Sequence, residues 1–110
     1  MPSPSIELPQ GTLDLLILRT LALEPLHGWA VSERIQQISS DMLRVQQGSL
    51  YPALHRLERH KLISGDWAIS ENGRRARYYT VTGAGRKRLK EHEGQWSSLS
   101  LGVGRVLEFV

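Results

Sequence analysis

Apolar residues recur at helical spacing from the start of the chain. Residues 10–23 carry two apolar stripes, because side chains three or four positions apart share one helix face. The first stripe consists of Leu13, Leu16, Ile17 and Leu21, and the second of Leu15, Leu18 and Ala22. A helix that is apolar nearly all round is buried on more than one side. In a domain this small, we expect the second side to contact another subunit, with Leu15 and Leu18 as candidate contacts.

A second helix is predicted from His27-Gly28 to about Ser39, with Val31, Ile35 and Ile38 as its inward stripe. Trp29 falls in its first turn, where we interpret it as a core or hinge anchor rather than a cofactor contact. A short polar link follows, and a third helical pattern begins after it. Two helices joined by such a turn are typical of a helix-turn-helix, with the later helix in the recognition position.

The third helix is predicted over Gln46–Lys61, where Leu50, Leu54 and Leu57 share one face. Because proline is tolerated in the first turn of a helix, Pro52 predicts Ser49 as the N-cap. The outward face carries Tyr51, Pro52, His55, Arg56 and Arg59. A polar start followed by a cationic face suits the DNA major groove, with Gln47 and Ser49 placed to reach base edges. An ordinary solvated amphipathic helix has the same pattern, so this stretch alone leaves both interpretations open.

A β-hairpin follows the third helix. Trp67 and Ile69 alternate with polar residues before Asn72-Gly73, a strong hairpin-turn signal, and the return strand is predicted over Ala76–Val81. A strict two-residue turn would pair Trp67 with Tyr78. Since Val81 should face the core together with Tyr79, a bulge or a three-residue loop is the alternative. The cations Arg74, Arg75 and Arg77 crowd the tip. A helix-turn-helix followed by a basic hairpin predicts a winged helix.

The last helix is predicted to begin after an N-cap at Thr82 and to carry a heptad seam. Leu89, Trp96, Val103 and Val110 repeat every seven residues, and His92, Leu99 and Val106 fall between them. A seam that projects beyond a small domain needs a partner. The candidate dimerisation residues of this helix are therefore Leu89, Trp96, Leu99, Val103 and Val106.

Charge is concentrated in the middle of the chain. Residues 42–90 contain 11 Lys or Arg against 3 Asp or Glu, a net charge of +8, whereas residues 1–41 and 91–110 carry −3 and −2. A basic segment between mildly acidic ends is the electrostatic pattern of a surface that binds an anion, most often a nucleic acid.

Several functional classes are disfavoured by what the chain lacks. The 110 residues include no cysteine, which excludes disulfides, thiolate metal sites and thiol catalysis. His55 and His60 are five apart, not the four that would place two ligands on one helix face. Paired carboxylates, a serine elbow and a phosphate-cradling glycine loop are not found, so we predict neither an enzyme nor a bound metal or cofactor. No membrane-length apolar run or signal segment is present, which predicts a cytoplasmic protein.

Several motifs occur together in this chain: His27-Gly28-Trp29, Gly48-Ser49-Leu50-Tyr51-Pro52-Ala53-Leu54 with Leu57-Glu58, Glu71-Asn72-Gly73-Arg74-Arg75 with Tyr78-Tyr79, and Val81-Thr82. Together they resemble the PadR family of bacterial transcriptional regulators. The resemblance implies a winged-helix DNA-binding domain, a homodimer built through the first and last helices, and usually repression. It also implies, for many members, release of DNA when a small aromatic compound binds. The chain looks like the short-tailed subgroup with one C-terminal helix, so an effector would lie in the dimer interface or beside that helix, where Trp96 is the candidate.

The sequence thus predicts a mainly α fold with a small β-hairpin: a lead-in (residues 1–9), a winged helix-turn-helix (residues 10–82) and a C-terminal dimerisation helix (residues 83–110). The predicted function is a dimeric regulator, a repressor, that reads a palindromic operator in double-stranded DNA. Two alternatives stay open: a non-specific architectural DNA binder, and a winged helix that binds only proteins. The candidate base or groove contacts are Gln47, Ser49, Tyr51, His55 and Arg56. The candidate phosphate or minor-groove contacts are Arg59, Arg74, Arg75 and Arg77.

Overall fold

The computed structural model describes residues 8–109 as four helices and a small antiparallel sheet. Its elements in chain order are α1 (Gln10–Leu23), β1 (Leu26–His27), α2 (Gly28–Ile38), α3 (Gln47–Arg59), β2 (Ile63–Ile69), β3 (Arg75–Val81) and α4 (Gly83–Phe109). The strand order is β1-β3-β2. This arrangement confirms the predicted winged helix with a long C-terminal helix. Residues 1–7 of the predicted lead-in, and Val110 of the predicted seam, lie outside the described residues.

The core is built around α1. Leu13, Ile17 and Leu21 of its first stripe are buried, as is Leu18 of its second stripe, which is 0% exposed. On α4, Leu89 is 6% exposed and belongs to the same core. Both Leu18 and Leu89 were predicted to contact a second subunit. That prediction is corrected, because each is enclosed by its own chain and has almost no exposed surface.

Local hydrogen bonds hold both ends of α2. The His27 side chain caps α2, its Nδ1 accepting from the Ala30 amide at 3.2 Å. At the other end, Ser40 and Asp41 have φ values of 54° and 66°. The Asp41 amide donates to the Gln36 carbonyl at 2.9 Å, so the chain turns sharply there. Ile38 was predicted to point inward but is exposed, because α2 ends at this residue, beyond the core.

The start of α3 differs from the prediction. The N-cap is Gln46, not Ser49, and Pro52 is the sixth helical residue instead of a first-turn residue. A proline there removes the amide that would donate to the carbonyl of Gly48. Gly48 is exposed, so water can bind that carbonyl and the helix tolerates the loss.

The hairpin of β2 and β3, called the wing from here on, closes through a three-residue loop, one of the two alternatives that the core-facing side chains left open. Trp67 pairs with Arg77, not with Tyr78. The Ser70 amide donates to the Arg74 carbonyl at 2.7 Å, and residues 71–73 make the turn, with Gly73 at φ +76°. This register puts Tyr79 and Val81 in the core, as predicted.

The last helix is fixed to the domain at its first two turns. The Thr82 hydroxyl accepts from the Gly85 amide at 3.0 Å, which confirms the predicted N-cap. A Cβ on Gly85 would lie 2.0 Å from the carbonyl oxygen of Leu62, so only glycine lets α4 approach the end of α3 this closely. The helix has 27 residues and extends about 40 Å in all. After Leu89, none of its described residues is buried.

Candidate nucleic-acid interface

The outward stripe of α3 is formed by three side chains at four-residue spacing. Gln47, Tyr51 and His55 are exposed along one side of the helix, beside the face that buries Leu50 and Leu54. Ser49 in the first turn and Arg59 in the last are also exposed. Five of the six side chains predicted on this helix are thus available to a partner.

The ring of Tyr51 packs against the backbone of α2 at Gly28. A Cβ built on Gly28 would lie 2.9 Å from Cε1 and 3.2 Å from the hydroxyl oxygen of Tyr51, so the bare backbone of α2 receives the ring. One face of Tyr51 is therefore packed and the other is open. A side chain restrained in this way loses little conformational entropy when it binds.

Arg56 does not join the outward stripe. Its Nη2 pairs with Oδ1 of Asp14 on α1 at 2.5 Å, and the two side chains are only 21% and 15% exposed. The prediction that Arg56 contacts DNA is corrected, since the guanidinium faces α1 and is neutralised there. It ties the recognition helix to the core.

Arg77 also has an internal partner. Its Nη2 pairs with the Glu58 carboxylate of α3, and the side chain crosses β2 at Gly65, where a Cβ would lie 2.5 Å from Nε. The guanidinium lies 5.8 Å from the ring centroid of Tyr79. Burial raises the pKa of the Tyr79 hydroxyl, and the nearby positive charge of Arg77 partly opposes that rise. Arg77 therefore fastens the wing to α3, and an ion pair engages the guanidinium that was predicted to contact DNA.

The remaining two arginines of the wing are free of carboxylates. Arg74 and Arg75 are exposed, and within residues 8–109 neither has a salt-bridge partner. The Arg75 guanidinium stacks on the Trp67 ring, 4.7 Å from its centroid. These two cations are therefore available to an external anion.

A cleft of about 530 Å³ joins these parts. It lies between the first turn of α2, the outward stripe of α3 and the inner face of the wing. Its lining includes Trp29, Tyr51, His55, Trp67, Arg74 and Arg75, and none of the described residues that line it is acidic. The cleft brings together four predicted site residues, Tyr51, His55, Arg74 and Arg75, with the paired Arg77, whereas Gln47, Ser49 and Arg59 lie outside its lining.

Two exposed tryptophans that line the cleft were not predicted as DNA-binding residues. Trp29 was interpreted as a core or hinge anchor, but it is 52% exposed, and Trp67 is 59% exposed. The sequence did indicate that Trp29 is exposed. It lies two residues from Val31 and is therefore on the other side of α2 from the inward stripe. For Trp67, the corrected register places it on the same wing face as Tyr79 but beyond the edge of the core.

The far part of α4 exposes an apolar face. Trp96, Leu99, Val103 and Val106 of the predicted seam are all exposed. Leu15 of α1 meets Trp96 and Leu99 in a shallow crevice of about 210 Å³. Five of the seven predicted dimerisation residues therefore lie on the surface of the subunit.

Two kinds of site were also sought across residues 8–109. No group of three or more His, Cys, Asp or Glu side chains there is arranged to hold a metal ion. None of the helices in the same residues has both the length and the apolar character needed to cross a membrane.

The three-helix arrangement, the wing and the cationic cleft define a winged-helix protein. The family model of the PadR-like transcriptional regulators matches residues 17–91, and the chain belongs to that family. A transcriptional regulator of Mycobacterium tuberculosis is 37% identical over 86 residues, which are 77% of this chain and 76% of the relative.

Solved structures of the family have the same fold. A PadR-like transcriptional regulator of Bacillus cereus superposes with a TM-score of 0.76 at 31% identity, over 89% of this chain and 93% of the other. A PadR family regulator of Eggerthella lenta gives a TM-score of 0.74 at 33% identity, over 90% and 84%. The family and these neighbours are transcriptional regulators, not enzymes.

Proposed function

We propose that this protein is a homodimeric transcriptional repressor that binds a specific palindromic DNA operator. The observation that carries the proposal is the cleft, which aligns the exposed stripe of α3 with the two unpaired arginines of the wing. A helix in the major groove with cations beside it is the docking geometry of helix-turn-helix proteins.

Each part of the surface has its own role in this proposal. Gln47, Ser49, Tyr51 and His55 read or position base edges in the major groove, since hydrogen bonds to those edges distinguish base pairs. The phosphate or minor-groove contacts are made by Arg59, Arg74 and Arg75. Arg56 and Arg77 act indirectly, because their ion pairs with Asp14 and Glu58 fix α3 against the core and the wing.

The exposed face of α4 supports a dimer. Trp96, Leu99, Val103 and Val106 form a seam that one subunit leaves uncovered, and Leu15 borders it. Burying such a seam against a second copy removes a large apolar area from water. A two-fold dimer presents two identical recognition helices, so its site is palindromic, with half-sites about one helical turn, roughly 34–36 Å, apart or a multiple of that.

Regulation by a small aromatic effector is part of the same proposal. The crevice between α1 and α4 offers the Trp96 indole, on which a planar molecule can stack. A compound bound there would alter the angle between the two recognition helices and release the operator. If an aromatic compound that releases DNA leaves tryptophan emission unaltered and still acts on Trp96→Ala, the Trp96 site is ruled out. A repressor of this kind works where the chromosome is, which places it in the cytoplasm.

The experiment is selection from random DNA duplexes, followed by binding measurements on the enriched and a scrambled sequence at two salt concentrations. A specific regulator enriches a palindrome and binds it at least about 10³-fold more tightly than the scrambled duplex. Equal binding to both duplexes would favour the architectural alternative. Binding to neither would leave only the alternative of a winged helix that binds proteins.

A further inference from the structure

The exposed indoles of Trp29 and Trp67 are not explained by packing within the subunit. They come from different elements, α2 and β2, yet both line the cleft. More than half of each side chain is open to water, although tryptophan is among the most costly side chains to leave exposed. The Trp67 ring is covered on one side by the Arg75 guanidinium. The cleft therefore exposes apolar side chains that a bound partner would cover.

The cleft combines aromatic side chains with positive charge. Its walls are aromatic, its rim carries the free cations Arg74 and Arg75, and none of its described lining residues is acidic. A nucleic acid strand alternates in the same way, with the C–H surface of each deoxyribose between two phosphates. Half to two-thirds of the hydrogen bonds that proteins make to DNA go to this backbone, not to bases.

We propose that the cleft holds one strand of the operator, with deoxyribose rings packed on Trp29 and Trp67 and the adjoining phosphates bound by Arg74 and Arg75. The inference rests on the proposed function and adds two residues to the interface. It gives the two indoles a positioning role: they set the depth at which the backbone lies between α3 and the wing. They carry no sequence information, because every nucleotide has the same sugar.

Trp67 has a second effect through Arg75. Stacking on the indole face restrains the Arg75 guanidinium, whereas no aromatic ring of residues 8–109 stacks on Arg74. The loss of Trp67 should therefore weaken the Arg75 contact and leave the Arg74 contact unchanged.

The first test compares Trp29→Ala with Arg74→Ala in DNA binding over a range of salt concentrations. Trp29→Ala should weaken binding to operator and scrambled duplex alike, by roughly tenfold, as expected for a well-packed aromatic contact. The slope of log affinity against log salt should not change, since no phosphate contact is lost. In Arg74→Ala the slope should fall by about 0.9 per lost phosphate contact. Ile38→Ala is the matched control, because Ile38 is an exposed apolar residue of α2 outside the cleft.

The second test is a pair of double-mutant cycles. Trp67→Ala should cost less affinity in an Arg75→Ala background than in the wild type, because the two side chains act as a unit. Combined with Arg74→Ala, its effect should be additive. Trp67→Phe keeps an aromatic face and should recover part of the affinity. Thermal melts of all variants confirm that the fold is retained.

The outcomes separate this inference from the proposed function. If the wild type binds its operator and Trp29→Ala and Trp67→Ala bind it as tightly, the inference is overturned and the proposed function stands. If Trp29→Ala changes discrimination between sequences, the indole reads bases and the sugar contact is wrong. A wild-type protein that binds no duplex at all would overturn the proposed function, and this inference with it.

Discussion

Arg56 of α3 and Asp14 of α1 form an ion pair across 42 positions of the chain, with Nη2 and Oδ1 2.5 Å apart. The pair is largely shielded from water, so breaking it leaves one charge poorly solvated. We predict that Arg56→Ala lowers the free energy of unfolding by about 1–3 kcal/mol, measured by urea denaturation.

The same variant should keep the wild-type salt dependence of DNA binding, because Arg56 contacts no phosphate in this account. Asp14→Leu combined with Arg56→Met should cost less stability than Arg56→Ala alone, since neither charge is then left unpaired. If Arg56→Ala instead reduces the slope of log affinity against log salt and leaves the stability unchanged, Arg56 contacts DNA.

The arginines of the wing should divide into two groups. Arg75→Ala is expected to reduce the salt slope by about 0.9 per lost phosphate contact and to leave the urea midpoint unchanged. Arg77→Ala is expected to lower the urea midpoint, because it strands Glu58 and frees the wing from α3. The two readouts are denaturation and binding at several salt concentrations. Identical behaviour of both variants in both readouts would show that this division is wrong.

Tyr51 should control discrimination between DNA sequences. Tyr51→Ala is predicted to reduce the free-energy difference between operator and scrambled duplex by about 1–3 kcal/mol, with a small change in thermal stability. Gly28→Ala offers an independent route to the same effect. Its Cβ would crowd the Tyr51 ring and push it off α2, so discrimination should fall although Tyr51 is still present. Intact discrimination in both variants would remove Tyr51 from base recognition.

The end of α3 stores backbone strain that glycine would relieve. Lys61 has a φ of 61°, and the Leu62 amide donates to the Leu57 carbonyl at 2.9 Å in a Schellman arrangement. Because side chains with a Cβ disfavour this conformation, Lys61→Gly should stabilise the protein by about 0.5–1 kcal/mol. Lys61→Ala is the control, since it removes the charge but keeps the Cβ. A stabilisation of equal size in Lys61→Ala would assign the effect to charge, not to the backbone.

The sequence was sufficient for most elements but not for the direction of several side chains. Periodicity located all four helices, and the need to bury Tyr79 and Val81 together indicated a bulge or a three-residue loop, of which the structure has the loop. Both inferences use only neighbours along the chain. The ion pairs of Arg56 and Arg77 were not predicted, because their partners, Asp14 and Glu58, lie 42 and 19 positions away. Nothing local distinguishes a paired arginine from a free one.

The start of α3 was misplaced for a related reason. Pro52 restricts where a helix begins, but an exposed carbonyl at Gly48 lets the helix extend one more turn. Trp29 was interpreted from its residue type as a core or hinge anchor, whereas its position relative to Val31 pointed outward. For Trp29, the helical pattern predicted exposure correctly and the residue type did not.

The apolar seam of α4 should determine the oligomeric state. Leu99→Asp would bury a charge in the dimer interface, which costs far more than a lost methylene group. We predict a monomer by sedimentation and a large loss of operator affinity. Leu101→Asp is the matched control: Leu101 is exposed as well but lies about 200° around the helix from Leu99, so the variant should remain a dimer that binds DNA. If Leu99→Asp and Leu101→Asp both remain dimers, the dimer interface does not include the seam of α4.

Hydroxyl-radical footprinting of the wild-type protein on the selected operator tests the central claim most directly. A homodimer that inserts two copies of α3 into successive major grooves should protect two half-sites related by a dyad, with centres about one helical turn apart or a multiple of that. The Leu99→Asp variant should lose this footprint at the same protein concentration. A single protected patch without dyad symmetry, or uniform protection along the duplex, would contradict the account.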